Sequence, residues 1–300
     1  MVVATGFFDG VHSGHRLVIG RLVEAAKARG DESLVVTFWP HPRNVLQCDA
    51  SSLRLLSSLQ EKKDMIYSLG VDRIEVIEFT REFSRLTATE YFREYVKGRF
   101  GGKAVVLGYD NRVGSDCRNV DYAADAAKEA GLEVIVADSL TSDTGTAVSS
   151  TWIRAMIESG EVETANAMLG YSYGLEGVVV SGEKLGKAMG FPTANMELYE
   201  PLKLVPGNGA YLVQVQALGK VFHGMCNIGN RPTVRDGNAR TIETNIFDFD
   251  EDIYGLDISL RFLKRIRKEI RFGSLDELKA QLVMDREFCE SLISSEYGNR

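Results

Sequence analysis

The sequence predicts an α/β unit built on a parallel sheet, followed by an antiparallel β unit, sandwich or barrel, that ends in a helix. Three observations predict it. Short apolar runs alternate with helical patterns through the first half of the chain. After about residue 170 strand patterns follow one another with glycine turns between them. The C-terminal stretch reads as one capped amphipathic helix.

The apolar runs of the first half are Val2 to Phe7, Leu34 to Phe38, Arg73 to Ile77, Ala104 to Leu107 and Leu132 to Val136. Their continuous apolar character is that of parallel strands covered on both faces. Helical patterns lie between them, at His15 to Arg29, Leu59 to Leu69, Ala88 to Phe100 and Asp121 to Ala130. Two of these carry capping boxes, Ser57-x-x-Gln60 and Thr87-x-x-Glu90. Ligands of such sheets bind beyond the carboxyl ends of the strands.

The pattern changes near a helix that ends at Leu169, so we expect two domains, 1–170 and 171–300. The second begins with Gly174 to Val180, then a long glycine-rich connection from Ser181 to Gly209. Strands follow at Ala210 to Gln216, Val221 to Asn227, Thr241 to Phe247 and Ile258 to Lys264. Ser274-x-x-Glu277 opens the terminal helix, with Leu275, Leu278, Leu282 and Phe288 expected on its buried side.

Composition narrows the class. Thirty-five basic residues against 42 acidic ones give a net charge of −7 at pH 7. Such a chain has no general attraction for nucleic acid, so an anionic ligand must meet a local site. Cys48, Cys117, Cys226 and Cys289 are far apart, with no C-x-x-C spacing. Reduced thiols in the cytoplasm are the expectation, not zinc or disulfides. No apolar run is long enough for a membrane-spanning helix, and the N-terminus does not read as a signal peptide. The partners expected are small molecules, without nucleic acid or membrane, for a monomer or weak homo-oligomer.

Two constellations carry chemistry. The first follows the first strand: Thr5-Gly6-Phe7-Phe8-Asp9-Gly10-Val11-His12-Ser13-Gly14-His15. His12 and His15, three apart, can face one way at the start of a helix, whose N–H groups and positive dipole end point the same way. Gly14 lets a ligand approach the backbone. That set suits a polyphosphate whose phosphorus is under attack. Far along the chain, Ser149, Ser150 and Thr151 gather hydroxyls before a helix, with Arg154 one turn later. Such a cluster holds phosphate, although it is also an ordinary N-cap.

The second constellation is Gly182 to Asn195, with Gly182, Gly186 and Gly190 at a spacing of four. Backbone N–H groups of such a loop can wrap phosphates. It is not the G-x-x-x-x-G-K-[ST] loop. Thr193 and Asn195 are two apart and project to one face of an extended backbone. Their hydroxyl and amide oxygens can share a hard Mg²⁺ with phosphates and water. Glu243, on a strand, is a candidate base, or else a solvated carboxylate.

The first stretch resembles the H-x-G-H signature of nucleotidyltransferases, in the T-G-x-F-D-G-x-H-x-G-H form of bacterial FAD synthetases. Thr37 to Arg43, Leu56 to Lys62, Gly108 to Gly114 and Val148 to Arg154 resemble further segments of that family in its order. The G-F-P-T-A-N string ending at Asn195 is similar to the riboflavin kinase motif. Thr241 to Asp250, Asn227 to Thr233 and Arg271-Phe272 resemble its other segments. The chain is thus identified as similar to the bifunctional riboflavin kinase and FAD synthetase family.

That resemblance implies a Rossmann-like doubly wound domain and a β-barrel kinase domain. It implies riboflavin, FMN, FAD, ATP and Mg²⁺ as substrates, products and cofactor. His12, His15 and Glu243 are the expected catalytic residues. Thr5, Gly6, Asp9, Gly14, Asp110, Ser149, Ser150, Thr151 and Arg154 would handle nucleotide in the first domain. Gly182, Gly186, Gly190, Thr193 and Asn195 would do so in the second, Thr193 and Asn195 as Mg²⁺ ligands. Asn227 and Arg271 would border the flavin. Asn111 stands where the family carries an aromatic residue or His, and Val113 where it carries Phe, and the sequence begins closer to the first motif than is usual in that family. Two other readings stay open at this point: a kinase with a degenerate N-terminal domain, and a non-catalytic flavin-binding module.

Overall fold

The computed structural model describes residues 1–46, 53–109, 111–116, 118–137, 148–182, 186, 189–231 and 239–297. Cys48, Cys117, Asp110 and the Pro232-Thr233 pair lie outside the described residues. The chain folds as two compact units, Met1–Trp152 and Ile153–Arg300.

The first unit holds a five-stranded sheet, all parallel: β1 (Val2–Thr5), β2 (Ser33–Trp39), β3 (Arg73–Glu78), β4 (Ala104–Leu107) and β5 (Glu133–Val136). The order is β3-β2-β1-β4-β5, so the sheet winds outward in both directions from β1. Its helices are α1 (Ser13–Arg29), α2 (Pro42–Leu46), α3 (Leu59–Ser68), α4 (Ala88–Tyr91), α5 (Val120–Glu129) and the start of α6 (Ser150–Ser159). One face of the sheet packs Val2, Ala4 and Val35 against Ile19 and Leu22 of α1. The other packs Val3, Leu34 and Val105 against Phe92, Ala123 and Ala127. Both faces are therefore covered, which is why the strands read as continuous apolar runs.

Two local expectations need correction. The helix expected over Ala88 to Phe100 is α only to Tyr91 and continues as a π-helix over Phe92–Arg99. Tyr95 then stacks on Tyr91, with ring centroids 5.8 Å apart. The capping box of α3 is Ser58 with Glu61, not Ser57 with Gln60. Ser57 is drawn elsewhere: its Oγ takes the Gly10 N–H at 3.0 Å, and its N–H goes to Asp9. The Thr87–Glu90 box forms as expected.

The second unit contains α7 (Val162–Leu169) and a closed antiparallel barrel of β6 (Gly174–Val180), β7 (Ala194–Leu198), β8 (Gly209–Ala217), β9 (Lys220–Arg231), β10 (Ala239–Ile246) and β11 (Asp257–Lys268). The order around the barrel is β10-β7-β6-β11-β8-β9. β7 lies within the connection expected to be a loop. Asn166 fastens α7 to the barrel: its amide donates to Phe262 O at 2.8 Å and its carbonyl accepts from Tyr173 N at 2.7 Å.

Helix α8 (Leu275–Leu292) closes the unit, capped by Ser274, which accepts from Glu277 N. Its buried residues are Asp285, Cys289 and Leu292, while Leu275 and Phe288 are exposed, against expectation. The reason is electrostatic as well as apolar. β11 presents Arg267 outward, and Asp285 turns to it at 2.8 Å. Cys289 and Leu292 pack with Leu212, Met225, Phe247 and Phe191 on the outside of the barrel. Among the described residues, no helix is long and apolar enough to cross a membrane.

Candidate active sites

In the first unit the site grows from the end of β1, beside the reversal of strand order. The chain leaves Thr5 through a turn in which Phe8 (φ 53°), Gly10 (φ 73°) and Val11 (φ 37°) all take left-handed backbone. For Phe8 and Val11 this costs on the order of 1–3 kcal/mol each, so the surroundings must impose it. They do. Phe8 and Val11 are buried in the core. Asp9 is buried too, and its carboxylate accepts the N–H groups of Leu56 and Ser57 at 3.0–3.1 Å. Asp9 thus fastens the segment before α3 to this turn.

The turn delivers His12 as the N-cap of α1, its Nδ1 accepting the His15 N–H at 3.3 Å. The two rings stack, with centroids 3.5 Å apart and 20° between planes. They face one way, as the spacing predicts. An accepting Nδ1 puts the neutral ring's proton on Nε2, leaving that nitrogen as a donor. A Cβ at Gly14 would stand 3.3 Å from the His12 ring, so glycine keeps the imidazole uncrowded.

Helix α6 begins against this turn. Ser150 Oγ donates to Asp9 O at 3.1 Å, and Ser149 Oγ accepts from Trp152 N at 3.3 Å. Ser149 therefore caps the helix, the ordinary role of its residue type. Thr151 is exposed, and Arg154 follows half-buried one turn on.

A cavity of about 340 Å³ opens beside Thr5 and Gly6, walled by Phe38, Phe79, Phe83 and Tyr91. Thr5 Oγ1 bonds the Tyr91 hydroxyl at 2.7 Å. Burial pushes the Tyr91 phenol upward, so it stays protonated. Asn111 Nδ2 donates to Thr5 O at 3.1 Å, tethering the 108–115 loop to β1, while Val113 is buried in the core. Gly114 (φ 87°) admits no side chain, because a Cβ would lie 2.2 Å from Ala88 N.

Sequence reasoning missed Lys62 as a site residue. It is fully buried on α3, and its ammonium donates to Phe7 O at 2.9 Å and Thr37 Oγ1 at 3.3 Å. It lies 3.7 Å from the Phe7 ring centroid. Burial lowers its pKa to about 8, against the opposing pull of Asp9. A signal was present: Lys62 falls in phase with Leu59, Ile66 and Leu69 on the apolar stripe of α3.

In the second unit Glu243 on β10 stands directly opposite Asn195 on β7 and Asn227 on β9. Directly opposed residues share a face, so the three form one row on the barrel. Gly182 and Gly186 lie against the β7 end of that row. A Cβ at Gly182 would fall 2.2 Å from Asn195 Nδ2, and one at Gly186 would fall 2.3 Å from Phe191 O and 3.4 Å from Thr193 Cγ2. Gly190 takes left-handed backbone at φ 86°. Phe191 anchors the loop in the core under α8, and Asn245 Nδ2 holds Pro192 O at 2.7 Å. Arg271 is exposed on the link from β11 to α8, and Asn227 is exposed on β9.

Beside Pro192 and Thr193 is a second cavity of about 380 Å³, lined by Val179, Thr244, Ile246 and Ile253 with Asp250 to Asp252 at the edge. Among the described residues no group of three His, Cys, Asp or Glu could hold a metal ion. The oxygens offered by Thr193 and Asn195 are neutral and hard. They fit a Mg²⁺ that keeps water and takes most of its charge from substrate phosphates.

Comparison with known proteins follows the same division. The family model for FAD synthetase matches residues 1–152, and that for riboflavin kinase matches residues 169–293. The bifunctional riboflavin kinase/FMN adenylyltransferase of Bacillus subtilis (strain 168) is 35% identical over 290 residues, covering 95% of this chain and 90% of the relative. The protein of the same description from Escherichia coli (strain K12) is 36% identical over 288 residues, with 95% and 90% covered. A crystal structure described as a macrolide-efflux protein from Streptococcus pneumoniae superposes with a TM-score of 0.89 at 32% identity, covering 96% of this chain and 93% of its own.

Proposed function

The chain belongs to the family of bifunctional riboflavin kinase/FMN adenylyltransferases, and from that premise we infer that it phosphorylates riboflavin to FMN and adenylylates FMN to FAD. The observation that supports this reading is that each unit gathers its own phosphate-handling set: the stacked His12 and His15 in the first, the Asn195–Glu243 pair in the second. His12, His15, Ser149, Ser150 and Thr151 lie in the first unit and Thr193, Asn195 and Glu243 in the second, while Arg154 follows on α6, the helix in which the first unit ends.

For FAD formation, an oxygen of the FMN phosphate attacks the α-phosphorus of ATP and pyrophosphate leaves. Negative charge grows on the α-phosphate oxygens and the departing group. His12, through its Nε2 proton, and His15 beside it donate hydrogen bonds to that charge. The N-terminus of α1 adds its dipole. The aromatic cavity at Thr5 and Gly6 accepts the flat flavin ring. Thr151 and Arg154, on α6, contribute a hydroxyl and a guanidinium for the polyphosphate.

For FMN formation, Glu243 accepts the proton of the ribityl hydroxyl as its oxygen attacks the γ-phosphorus and ADP leaves. The loop from Gly182 to Gly190 wraps the phosphates, and the neighbouring cavity takes the base. Mg²⁺, held by Thr193 and Asn195 with the phosphates, would offset polyphosphate charge in a chain that is itself negative. Asn227 and Arg271 border the riboflavin side.

A kinase with a degenerate first unit is not favoured. The substitutions at Asn111 and Val113 are absorbed by a tether to Thr5 and a place in the core, and both histidines are in position. The efflux role by which the streptococcal structure is described has no counterpart in two constellations built for polyphosphate chemistry. The reading places the enzyme in the cytoplasm, where ATP is supplied, acting on small molecules as a monomer or weak homo-oligomer. The test is incubation of the protein with riboflavin, ATP and Mg²⁺, with FMN and FAD separated afterwards. Both products should form, and omission of Mg²⁺ should stop both. Accumulation of FMN alone would remove the adenylyltransferase half.

A further inference from the structure

Helix α3 grips the His12 turn at two points. On one side of Phe8 the Asp9 carboxylate takes the N–H groups of Leu56 and Ser57, just before the helix. On the other side Phe7 O takes the ammonium of Lys62, from within the helix. Phe8, between these anchors, is left-handed. The Phe7 ring is gripped as well, by Lys62 Nζ at 3.7 Å and by the His41 ring at 4.1 Å.

A buried cation is costly unless paired, and a well-packed apolar side chain usually serves the fold as well or better. Among the described residues Lys62 forms no close ion pair. The charge that faces it is Asp9, from the turn. β2 presents the Thr37 hydroxyl and, 6.0 Å away, the Trp39 ring. β1 runs into the Phe7 carbonyl and ring. What the ammonium touches is therefore the backbone of the catalytic turn, and it is too buried to touch substrate.

Resting on the assignment of adenylyl transfer to the first unit, we propose that Lys62 is a positioning residue of that reaction: its ammonium fixes the Phe7 carbonyl and so the orientation in which the strained turn presents His12 and His15. The protonated form makes this contact. Activity in FAD formation therefore falls as pH rises through about 8, where burial places this group. Fold stability runs the other way. The folded pKa lies below the unfolded value of 10.5, so between the two the unfolded chain binds more protons and the Lys62 contribution to stability grows with pH. Loss of activity in that window is then not loss of fold.

The experiment follows FAD formation from FMN and ATP by the full chain between about pH 6.5 and about pH 9.5, for the wild type and Lys62→Met. Phe7 O keeps its bond from Thr37 Oγ1 at 3.1 Å in the variant, which favours folding. We expect kcat to fall about tenfold, KM for ATP to change little, and the limb near pH 8 to vanish. Riboflavin phosphorylation should keep its rate and its profile. Lys62→Arg, which retains charge at all these pH values, should also lose the limb. An unchanged kcat with the limb intact in Lys62→Met, or a limb that persists in Lys62→Arg, would overturn the proposal. A wild type that makes no FAD would remove the underlying assignment and this role with it.

Discussion

Glu243 and Asn195 stand directly across from each other on β10 and β7, so the candidate base and a candidate metal ligand share one rung of the barrel. The same rung continues to Asn227 on β9. Asn227 and Glu243 meet across the consecutive strands β9 and β10, whereas Asn195 joins them only because β10 also pairs with β7, from much earlier in the chain. Gly182 lies against Asn195 at one end of this row.

Replacing Glu243 with glutamine tests the row. The amide keeps the shape and an acceptor oxygen but takes no proton. Turnover in riboflavin phosphorylation should drop roughly 10²- to 10⁴-fold. The KM for riboflavin should move little, and FAD formation from supplied FMN should continue. Near-normal turnover at saturating substrates would return Glu243 to the role of a solvated strand carboxylate.

Gly182→Ala probes the loop from the other side. Its Cβ would collide with the Asn195 amide, which is the end of a side chain and can move. We expect the fold to survive and the Asn195 oxygen to shift, so the Mg²⁺ concentration needed for half-maximal phosphorylation should rise several-fold. Gly177→Ala makes the contrast. There the Cβ meets Glu197 O at 2.1 Å, in the barrel wall, and the melting temperature should fall. An Mg²⁺ dependence unchanged in Gly182→Ala would separate the loop from the metal site.

Much of this was legible in the sequence, for physical reasons that vary by element. The parallel strands show because both faces are buried. β7 does not, because Ala194 to Leu198 mixes polar and apolar residues directly after a glycine-rich stretch. The adjacent serines 57 and 58 both satisfy a capping pattern, and only the Asp9 carboxylate, 48 residues before Ser57, decides between them. The face of α8 was misread because Asp285 looks like a surface residue until Arg267 is placed opposite. Lys62 hid in a run of charged residues, although its phase with Ile66 marks it as buried. The His12–His15 pair was legible because its spacing is local; the Asn195–Glu243 pairing depends on barrel closure and was not.

His15→Ala should lower the rate of FAD formation by an order of magnitude or more, roughly the loss of one preorganised donor. His15 is the cleaner choice of the pair, since His12 is also the cap of α1 and its removal costs helix stability. Phosphorylation of riboflavin, housed in the other unit, should be unaffected. Rate measurements with FMN and with riboflavin as alternative substrates check both halves. Equal FAD synthesis by mutant and wild type would end the assignment of this turn.

Thr244 offers a test of where the kinase seats the nucleotide base. It is 1% exposed, lines the cavity beside Thr193, and its Oγ1 has the Cys226 thiol beside it rather than an oxygen or nitrogen partner. Its neighbour across the β9–β10 rung is Cys226, whose thiol burial pushes up to about 12, so it stays a weakly bonding S–H. A thiol is a weak partner for a buried hydroxyl, and a polar edge of the base entering the cavity would offer a stronger one. Thr244→Val replaces the hydroxyl by a methyl group of like shape. The apo protein should melt close to the wild type, because only a weak contact with a thiol is lost. The KM for ATP in riboflavin phosphorylation should rise about 3- to 10-fold, the worth of one neutral hydrogen bond. Turnover at saturating ATP should stay within a small factor, since the base is remote from the γ-phosphorus. FAD formation serves as the internal control and should not change. An unaltered KM for ATP would place the base elsewhere on the barrel, with Glu243 and the glycine loop still marking where its phosphates lie.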